Sequence, residues 1–107
     1  MAIGLPARAR DAQRFTGSHE EIGRAAIEVF KELGWTYTGS VPAELRASVG
    51  MSLWSWGERV QVLIGEDGLV SIESRGAMPM QWLDWGRNAR NCQAFLSALA
   101  RRRPAAR

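Results

Sequence analysis

The residues best suited to chemistry are polar side chains at the start of the last helical segment. Asp84, Asn88 and Asn91 recur at spacings of four and three, which places them on one face of a helix. Two amides on or beside a core-facing stripe are unusual, because buried amides need hydrogen-bond partners. We interpret Asp84 as the N-cap of the helix and the two asparagines as ties to neighbouring backbone. The alternative is the polar end of a binding pocket.

Tryptophan is concentrated in this chain, and the dipeptide W-G occurs twice, in S-W-G-E and in D-W-G-R-N. One tryptophan has about 150–250 Å² of surface to bury. Four of the five, Trp54, Trp56, Trp82 and Trp85, fall in predicted turn and crossing segments, where so small a core cannot hide them all. We therefore predict that they form, with Asn88, a contact surface for a protein partner or a second copy of the chain. A pocket for a small apolar ligand is the alternative.

The residue types that enzymes use as nucleophiles, bases and metal ligands are scarce. His19 is the one histidine and is expected to be exposed, while Cys92 is the one cysteine and falls on an apolar stripe. Covalent catalysis needs a nucleophile, a base and an orienting group, and a zinc site needs about four ligands. The sequence contains no glycine-rich phosphate-binding motif. We therefore expect a protein that is not an enzyme and that carries no cofactor and no metal.

Length and composition are those of one globular domain. The chain has 107 residues, of which 46% are hydrophobic and 23% charged. No apolar run approaches the ~20 residues of a membrane span, and the first residues lack the pattern of a secretory signal. The single cysteine excludes an internal disulfide and is typical of a reducing compartment. We expect a cytoplasmic protein.

Charge is distributed unevenly along the chain. Residues 15–86 carry a net charge of −5, whereas the two ends, 1–14 and 87–107, carry nine arginines against Asp11, a net charge of +8. Arg101, Arg102 and Arg103 precede a proline and are expected to complement the dipole at the end of a helix. Their alternative role is a weak contact with an anion or a nucleic acid.

Helical periodicity occurs twice. Ser18 and Glu21 form an S-x-x-E capping box, and an apolar stripe follows from 22 to 33. A second stripe runs from 89 to 99 behind Asp84. The expected organisation is a flexible N-terminal arm at 1–17, a single α+β domain at 18–101 and a basic tail at 102–107.

Between the two helices the period of the apolar residues changes to two. A three-residue loop at 66–68 pairs Ile64 with Val70 and Val62 with Ile72, and it puts a glycine where a left-handed residue is needed. We predict an α+β fold of order α-β-β-β-β-α, in which both helices pack on one face of a four-stranded antiparallel meander. The alternating segments lie near 35–39, 44–53, 60–64 and 70–74.

The same register predicts a repulsive pair on the outer face of the sheet. Arg59 lies opposite Arg75, and like charges at directly opposed positions destabilise a sheet. We expect Glu44, Glu58 or Glu73 to shield them, and the alternative is an anionic partner segment. The outer positions include no aromatic residue and nearly balance in charge, so nucleic acid is not the expected partner.

Three motifs in one order extend over about residues 45–100: S-W-G-E-x-V-x-V, then V-x-I-x-S, then D-W-G-R-N-x-x-N-x-x-x-F-L. This pattern resembles a family of small bacterial domains of unknown function, whose members begin a helix with D-x-G-x-N after a strand that ends in serine. The resemblance implies an α+β fold and no established activity. It rests on Ser55, Trp56, Gly57, Glu58, Ser74, Asp84, Trp85, Gly86, Asn88 and Asn91.

Overall fold

The computed structural model describes residues 8–39, 44–50, 57–76 and 86–104. Within these ranges the chain forms five strands and two helices, which confirms the α+β class. No helix in the described ranges is long and apolar enough to cross a membrane. The elements in chain order are β1 (Arg8–Arg14), α1 (His19–Glu32), β2 (Thr36–Thr38), β3 (Glu44–Val49), β4 (Glu58–Ile64), β5 (Leu69–Gly76) and α2 (Arg87–Arg102).

The strands form one antiparallel sheet in the order β1-β5-β4-β3-β2. The predicted meander is present in β2 to β5, but the predicted count of four strands is wrong because β1 adds a fifth at the edge beside β5. The expectation of a flexible arm at 1–17 is corrected for residues 8–14, which pair one by one with Leu69–Arg75. Helix α1 then connects β1 at one edge with β2 at the other.

The missed strand has no apolar face of its own. Arg8, Arg10 and Arg14 alternate with side chains of which Ala9 and Gln13 are only partly buried, so no hydrophobic period of two exists there. Its backbone is held by β5 and by the residue that follows it: Phe15 is 2% exposed, and its N–H donates to the carbonyl of Gly68 at 2.9 Å. The strand is therefore stabilised by contacts that are distant in sequence.

The predicted β4–β5 hairpin is confirmed in its register. Ile64 lies opposite Val70 and Val62 opposite Ile72, as a three-residue loop requires. Gly68 has a φ of 86°, in the left-handed region that favours glycine. A Cβ at this position would also overlap the carbonyl oxygen of Phe15. Both the hairpin and the docking of β1 therefore need this glycine.

The core lies where α1, α2 and the inner positions of the sheet meet. An aromatic cluster joins three elements, since the Phe30 ring lies 6.0 Å from Trp35, 5.8 Å from Tyr37 and 5.4 Å from Phe95 between centroids. Trp35 is thus a buried core residue, 8% exposed. The buried inner positions of the sheet are Leu45, Ala47, Val60, Val62, Ile64, Val70, Ile72 and Ser74.

The two helices begin differently. At the start of α1, Ser18 forms the predicted capping box: its Oγ accepts from the N–H of Glu21, whose carboxylate accepts from the N–H of Ser18 at 2.8 Å. Helix α2 begins at Arg87, and Gly86 occupies its cap position with a φ of 91°. Asp84, the predicted cap of α2, lies outside the described residues.

The C-terminal end of α2 is docked on the rest of the molecule through Pro104. The Arg103 guanidinium donates to the carbonyl of Thr16 at 3.1 and 3.3 Å. The N–H of Thr16 in turn donates to the carbonyl of Pro104 at 3.0 Å. Residues 103 and 104 of the predicted basic tail are therefore held by hydrogen bonds.

Candidate functional site

The polar face of α2 meets the sheet in a buried cluster of hydrogen-bonded side chains. Asn88 Oδ1 accepts from the Ser74 hydroxyl at 2.6 Å. Asn91 Nδ2 donates to the Ser74 oxygen and to Glu58 Oε1, both at 3.1 Å. All four side chains are buried, with exposed fractions of 0 to 9%. We call Glu58, Ser74, Arg87, Asn88 and Asn91 the polar cluster.

The sheet register explains why these groups meet. Glu58 and Ser74 occupy the same inward phase as the apolar residues of β4 and β5, at the ends of the strands that lie beside the first turns of α2. Arg87 Nη1 lies 3.3 Å from Glu58 Oε2, and the arginine side chain is 46% exposed. One carboxylate oxygen is thus bonded to an amide and the other to a guanidinium that reaches solvent, which offsets the cost of burying the charge.

The cluster accounts for the two asparagines that stand out in the sequence. Among the described residues, their partners are side chains of β4 and β5. We expected Asp84 and the four tryptophans to lie beside these asparagines. Asp84, Trp54, Trp56, Trp82 and Trp85 lie outside the described residues, so the tryptophan-rich surface stays a prediction. The place of Asn88 in that surface is corrected, because Asn88 is fully buried and bonded to Ser74.

The side chains of the single cysteine and the single histidine both bind backbone carbonyl groups. Cys92 is 2% exposed, and its thiol donates to the carbonyl of Ala9 at 3.6 Å. Burial, with a smaller contribution from the charge of Asp11, raises the pKa of the Cys92 thiol to about 11, which keeps it protonated at neutral pH. His19 is half-buried rather than exposed, and its Nε2 donates to the carbonyl of Ile64 at 2.8 Å. The described ranges contain no group of three or more metal-ligating side chains.

The outer face of the sheet carries two adjoining hollows. The first has a volume of about 580 Å³ and extends over β2, β3, β4 and β5. The second, of about 490 Å³, extends over β1, β5 and β4. Gln61 and Glu73 line both, so the two hollows form one groove, which we call the outer groove. Arg59 and Arg75 line its first half, and Leu63 and Ser71 line its second half.

Arg59 and Arg75 are directly opposed across β4 and β5, as predicted. The ion pairs that we expected to shield them are absent from the described part of the chain. Glu58 lies on the inner face, Glu44 pairs with Arg46 at 3.1 Å, and Glu73 pairs with Arg10 at 2.7 Å.

Among the arginines near Glu73, Arg10 interacts most strongly with its carboxylate. That pKa is lowered chiefly by the hydrogen bond from Arg10, with smaller effects from the charges of Arg8 and Arg75. Arg75 thus acts on Glu73 only at a distance, and neither Arg59 nor Arg75 forms a salt bridge or a side-chain hydrogen bond with a described residue.

The C-terminal arginines have partners within the chain. Arg101 and Arg102 bind the two oxygens of Glu32 at 2.8 and 3.0 Å, and these hydrogen bonds lower the pKa of that carboxyl. The Arg103 guanidinium lies 3.8 Å from the Glu21 carboxylate and also donates a hydrogen bond to the carbonyl of Thr16. Of the arginines predicted as anion contacts, Arg59 and Arg75 are therefore the two that form no ion pair with a described residue.

Comparison with known proteins does not assign the chain to a family. It matches no protein-family model and no curated protein. The resemblance to small bacterial domains of unknown function stays a prediction, and the function must be argued from the geometry of the described residues.

Proposed function

We propose that this protein is a non-enzymatic binding module that holds a segment of a partner protein on the outer face of its sheet. The observation that carries the proposal is the pair Arg59 and Arg75. Opposed like charges weaken a sheet, and two exposed guanidinium groups with no carboxylate partner among the described residues are a ready contact for an anionic segment. Both line the outer groove, which is large enough to hold several side chains.

The open face follows from how the sheet is covered. Inner positions on β4 and β5 are buried, whereas the outer positions between them are exposed or half-buried. We infer that both helices cover the inner face, because residues of α1 and α2 share one core with these inner positions. A single-sided sheet of this kind leaves its other face available to a partner.

The surroundings of three side chains support binding over catalysis. The Cys92 thiol is buried and protonated at neutral pH, and His19 is held by a backbone carbonyl. Glu58, the buried carboxylate, is bonded to Arg87 and Asn91. These side chains are used for packing and for joining elements.

The tryptophan-rich surface of Trp54, Trp56, Trp82 and Trp85 belongs to the same proposal as a second contact region. A protein partner or a second copy of the chain would bury these rings. Replacing Trp82 by alanine should then leave the melting temperature unchanged and weaken association, measured by sedimentation velocity over a range of protein concentrations. Unchanged association would remove this region from the proposal.

The outer groove is tested with a matched pair of substitutions. Ser48→Trp on β3 places a large ring in the first half of the groove, and Ser97→Trp places the same ring on the exposed side of α2. Random peptides displayed on phage are selected on the wild-type protein and then tested on both variants, each checked for its melting temperature. We expect the selected peptides to bind Ser97→Trp normally and Ser48→Trp at least about tenfold more weakly. The proposal is wrong if no peptide is enriched, or if the enriched peptides bind both variants equally.

A further inference from the structure

The register of the sheet places three arginines in one row of the outer face. Arg8 lies opposite Arg75, and Arg75 lies opposite Arg59, on three neighbouring strands. Neighbouring strands are about 4.8 Å apart, so the three side chains begin within ~10 Å of one another. The row continues through the hydroxyl-bearing side chains of Ser48 and Thr36 on β3 and β2.

The charge of this row is only partly balanced. Arg8 lies 3.5 Å from Glu73, which also holds Arg10 at 2.7 Å. Arg59 and Arg75 have no such contact with a described residue. Two adjacent guanidinium groups match the geometry of carboxylates, which each accept two parallel hydrogen bonds from one arginine.

The other half of the outer groove contains an exposed leucine, Leu63, among polar side chains that include Arg10, Asp11 and Glu73, and Leu69 lies on the same face outside the groove. Leu63 is 47% exposed and Leu69 is 36% exposed, and both belong to the outer face. Leu63 follows Arg59 by four residues on β4, which is a distance of ~13 Å along an extended strand. Between them lies Gln61, which lines both hollows. The groove therefore has two arginines in its first half and one exposed leucine in its second half on one continuous surface.

We propose that the occupant of this groove is an extended acidic peptide segment with an apolar anchor, a partner chemistry that rests on the function proposed above. Its carboxylates contact Arg59 and Arg75. Because an extended peptide rises about 3.3 Å per residue and repeats its face every second residue, a side chain four positions away reaches Leu63. Thr36 and Ser48 supply hydroxyl donors beside the acidic end.

The same surface fits a nucleic acid poorly. Glu44 and Glu73 lie on this face and would repel a continuous line of phosphates. The described outer positions carry no aromatic side chain on which bases could stack. A short segment with a few carboxylates meets two open arginines without crossing a long negative surface.

The probe for the experiment is a fluorescein-labelled synthetic peptide with two acidic residues separated by one residue, and a leucine four positions beyond the second, so that all three side chains share one face of the extended chain. A second peptide has the reversed sequence, so that both directions along β4 are covered. Binding is measured by fluorescence anisotropy at low salt. In the peptide controls, the acidic residues become their amides, or the leucine becomes serine.

The protein variants are Arg59→Gln and Arg75→Gln, with Arg90→Gln on the exposed surface of α2 as a control of equal charge change. We expect either groove variant to weaken binding about tenfold or more, since each removes a charge-assisted contact. Arg90→Gln should change it less than about twofold. Removing one of two opposed arginines relieves repulsion, so the melting temperature should not fall.

The proposed acidic occupant is wrong if the amide peptides bind as tightly as the acidic ones, or if Arg90→Gln weakens binding as much as Arg59→Gln. It is also wrong if a random single-stranded oligonucleotide of equal charge binds more tightly with the same arginine dependence, since the partner would then be a nucleic acid. If displayed peptides that are not acidic occupy the groove, this inference fails and the proposed binding function stands. If no displayed peptide depends on the groove, the function itself fails.

Discussion

At the scale of single residues, Asn91 joins helix α2 to two strands at once. Its amide nitrogen donates to Ser74 on β5 and to Glu58 on β4. Hydrogen bonds to a buried charge contribute more than neutral ones, because the carboxylate has lost its water. The polar cluster therefore fixes the position of the first turn of α2 relative to the sheet. Hydrogen bonds are directional, so they restrict this position more than apolar contacts do.

Replacing Asn91 by alanine should lower the free energy of unfolding by about 2–3 kcal/mol, because it removes a donor from the buried Glu58 carboxylate and from Ser74. Urea unfolding followed by circular dichroism measures the change. Gln93→Ala, at an exposed position of the same helix, is the control and should change stability by no more than ~0.5 kcal/mol. Equal effects of the two substitutions would contradict the role given to Asn91.

Cys92 links stability to alkaline pH. Its pKa is raised by burial from about 9 to about 11, so the folded protein retains a proton that the unfolded chain releases between these values. The free energy of unfolding should be independent of this group below about pH 9 and should decrease as the pH rises toward 11, by at most ~2–3 kcal/mol.

The measurement for Cys92 compares urea unfolding at pH 8 and pH 10.5 for the wild type and Cys92→Ala. The variant lacks the thiol and should lose less stability over this interval, although both lose some through other groups. A parallel decrease in the two proteins would show that the thiol does not contribute.

At the scale of elements, the segment 8–17 and the residues 103–104 hold each other against the domain. Strand β1 completes the sheet, and the residues that follow it, Thr16 and Gly17, contact the side chain of Arg103. Thr16 also donates twice to the carbonyl of Pro104, through its N–H and its hydroxyl. The C-terminal residues are thus part of the structure that keeps β1 in place.

A chain truncated after Ala100 should therefore be less stable than the full chain. It loses the two hydrogen bonds between Thr16 and Pro104, about 1–3 kcal/mol in total, and also the exposed salt bridges of Glu32. Thermal unfolding followed by circular dichroism measures the loss. A double variant, Arg101→Gln with Arg102→Gln, isolates the ion pairs and should have the smaller effect. An unchanged melting temperature after truncation would show that the removed residues do not stabilise the fold.

At the scale of the whole molecule, ion pairs connect elements that are far apart in sequence. Glu73 pairs with arginines of β1, and Glu32 of α1 pairs with arginines at the end of α2. Asp67 in the β4–β5 loop pairs with Arg14. The pKa of each of these carboxyls is lowered by hydrogen bonds that favour the ionised form.

Stability should consequently fall in acid. A carboxyl whose pKa is lowered in the folded state stabilises the protein above its unfolded pKa, near 4, and loses that contribution as the pH falls through the folded value. The free energy of unfolding should decrease from about pH 4.5 downward, and high salt should reduce the pH dependence by screening the exposed pairs. Stability that is constant or rises between pH 5 and pH 2.5 would contradict this.

Local pattern determines the parts of the fold that depend on near neighbours in the chain. Ser18 and Glu21 mark the start of α1, because a capping box needs residues only three positions apart. The spacing of apolar residues and the length of one loop determine the pairing of Val62 with Ile72, and with it the juxtaposition of Arg59 and Arg75. The inward position of Asn88 and Asn91 follows from helical spacing in the same way.

Tertiary structure alone decides the rest, because the partners are distant in sequence. Strand β1 has no apolar face, and it exists because β5, about sixty residues later, offers an edge for its backbone. Which glutamate neutralises which arginine depends on strand order across the sheet: Arg10 of β1 holds Glu73, and Arg59 and Arg75 form no ion pair within the described ranges. Periodicity reports which way a side chain faces, whereas its contact depends on which elements the fold brings beside it.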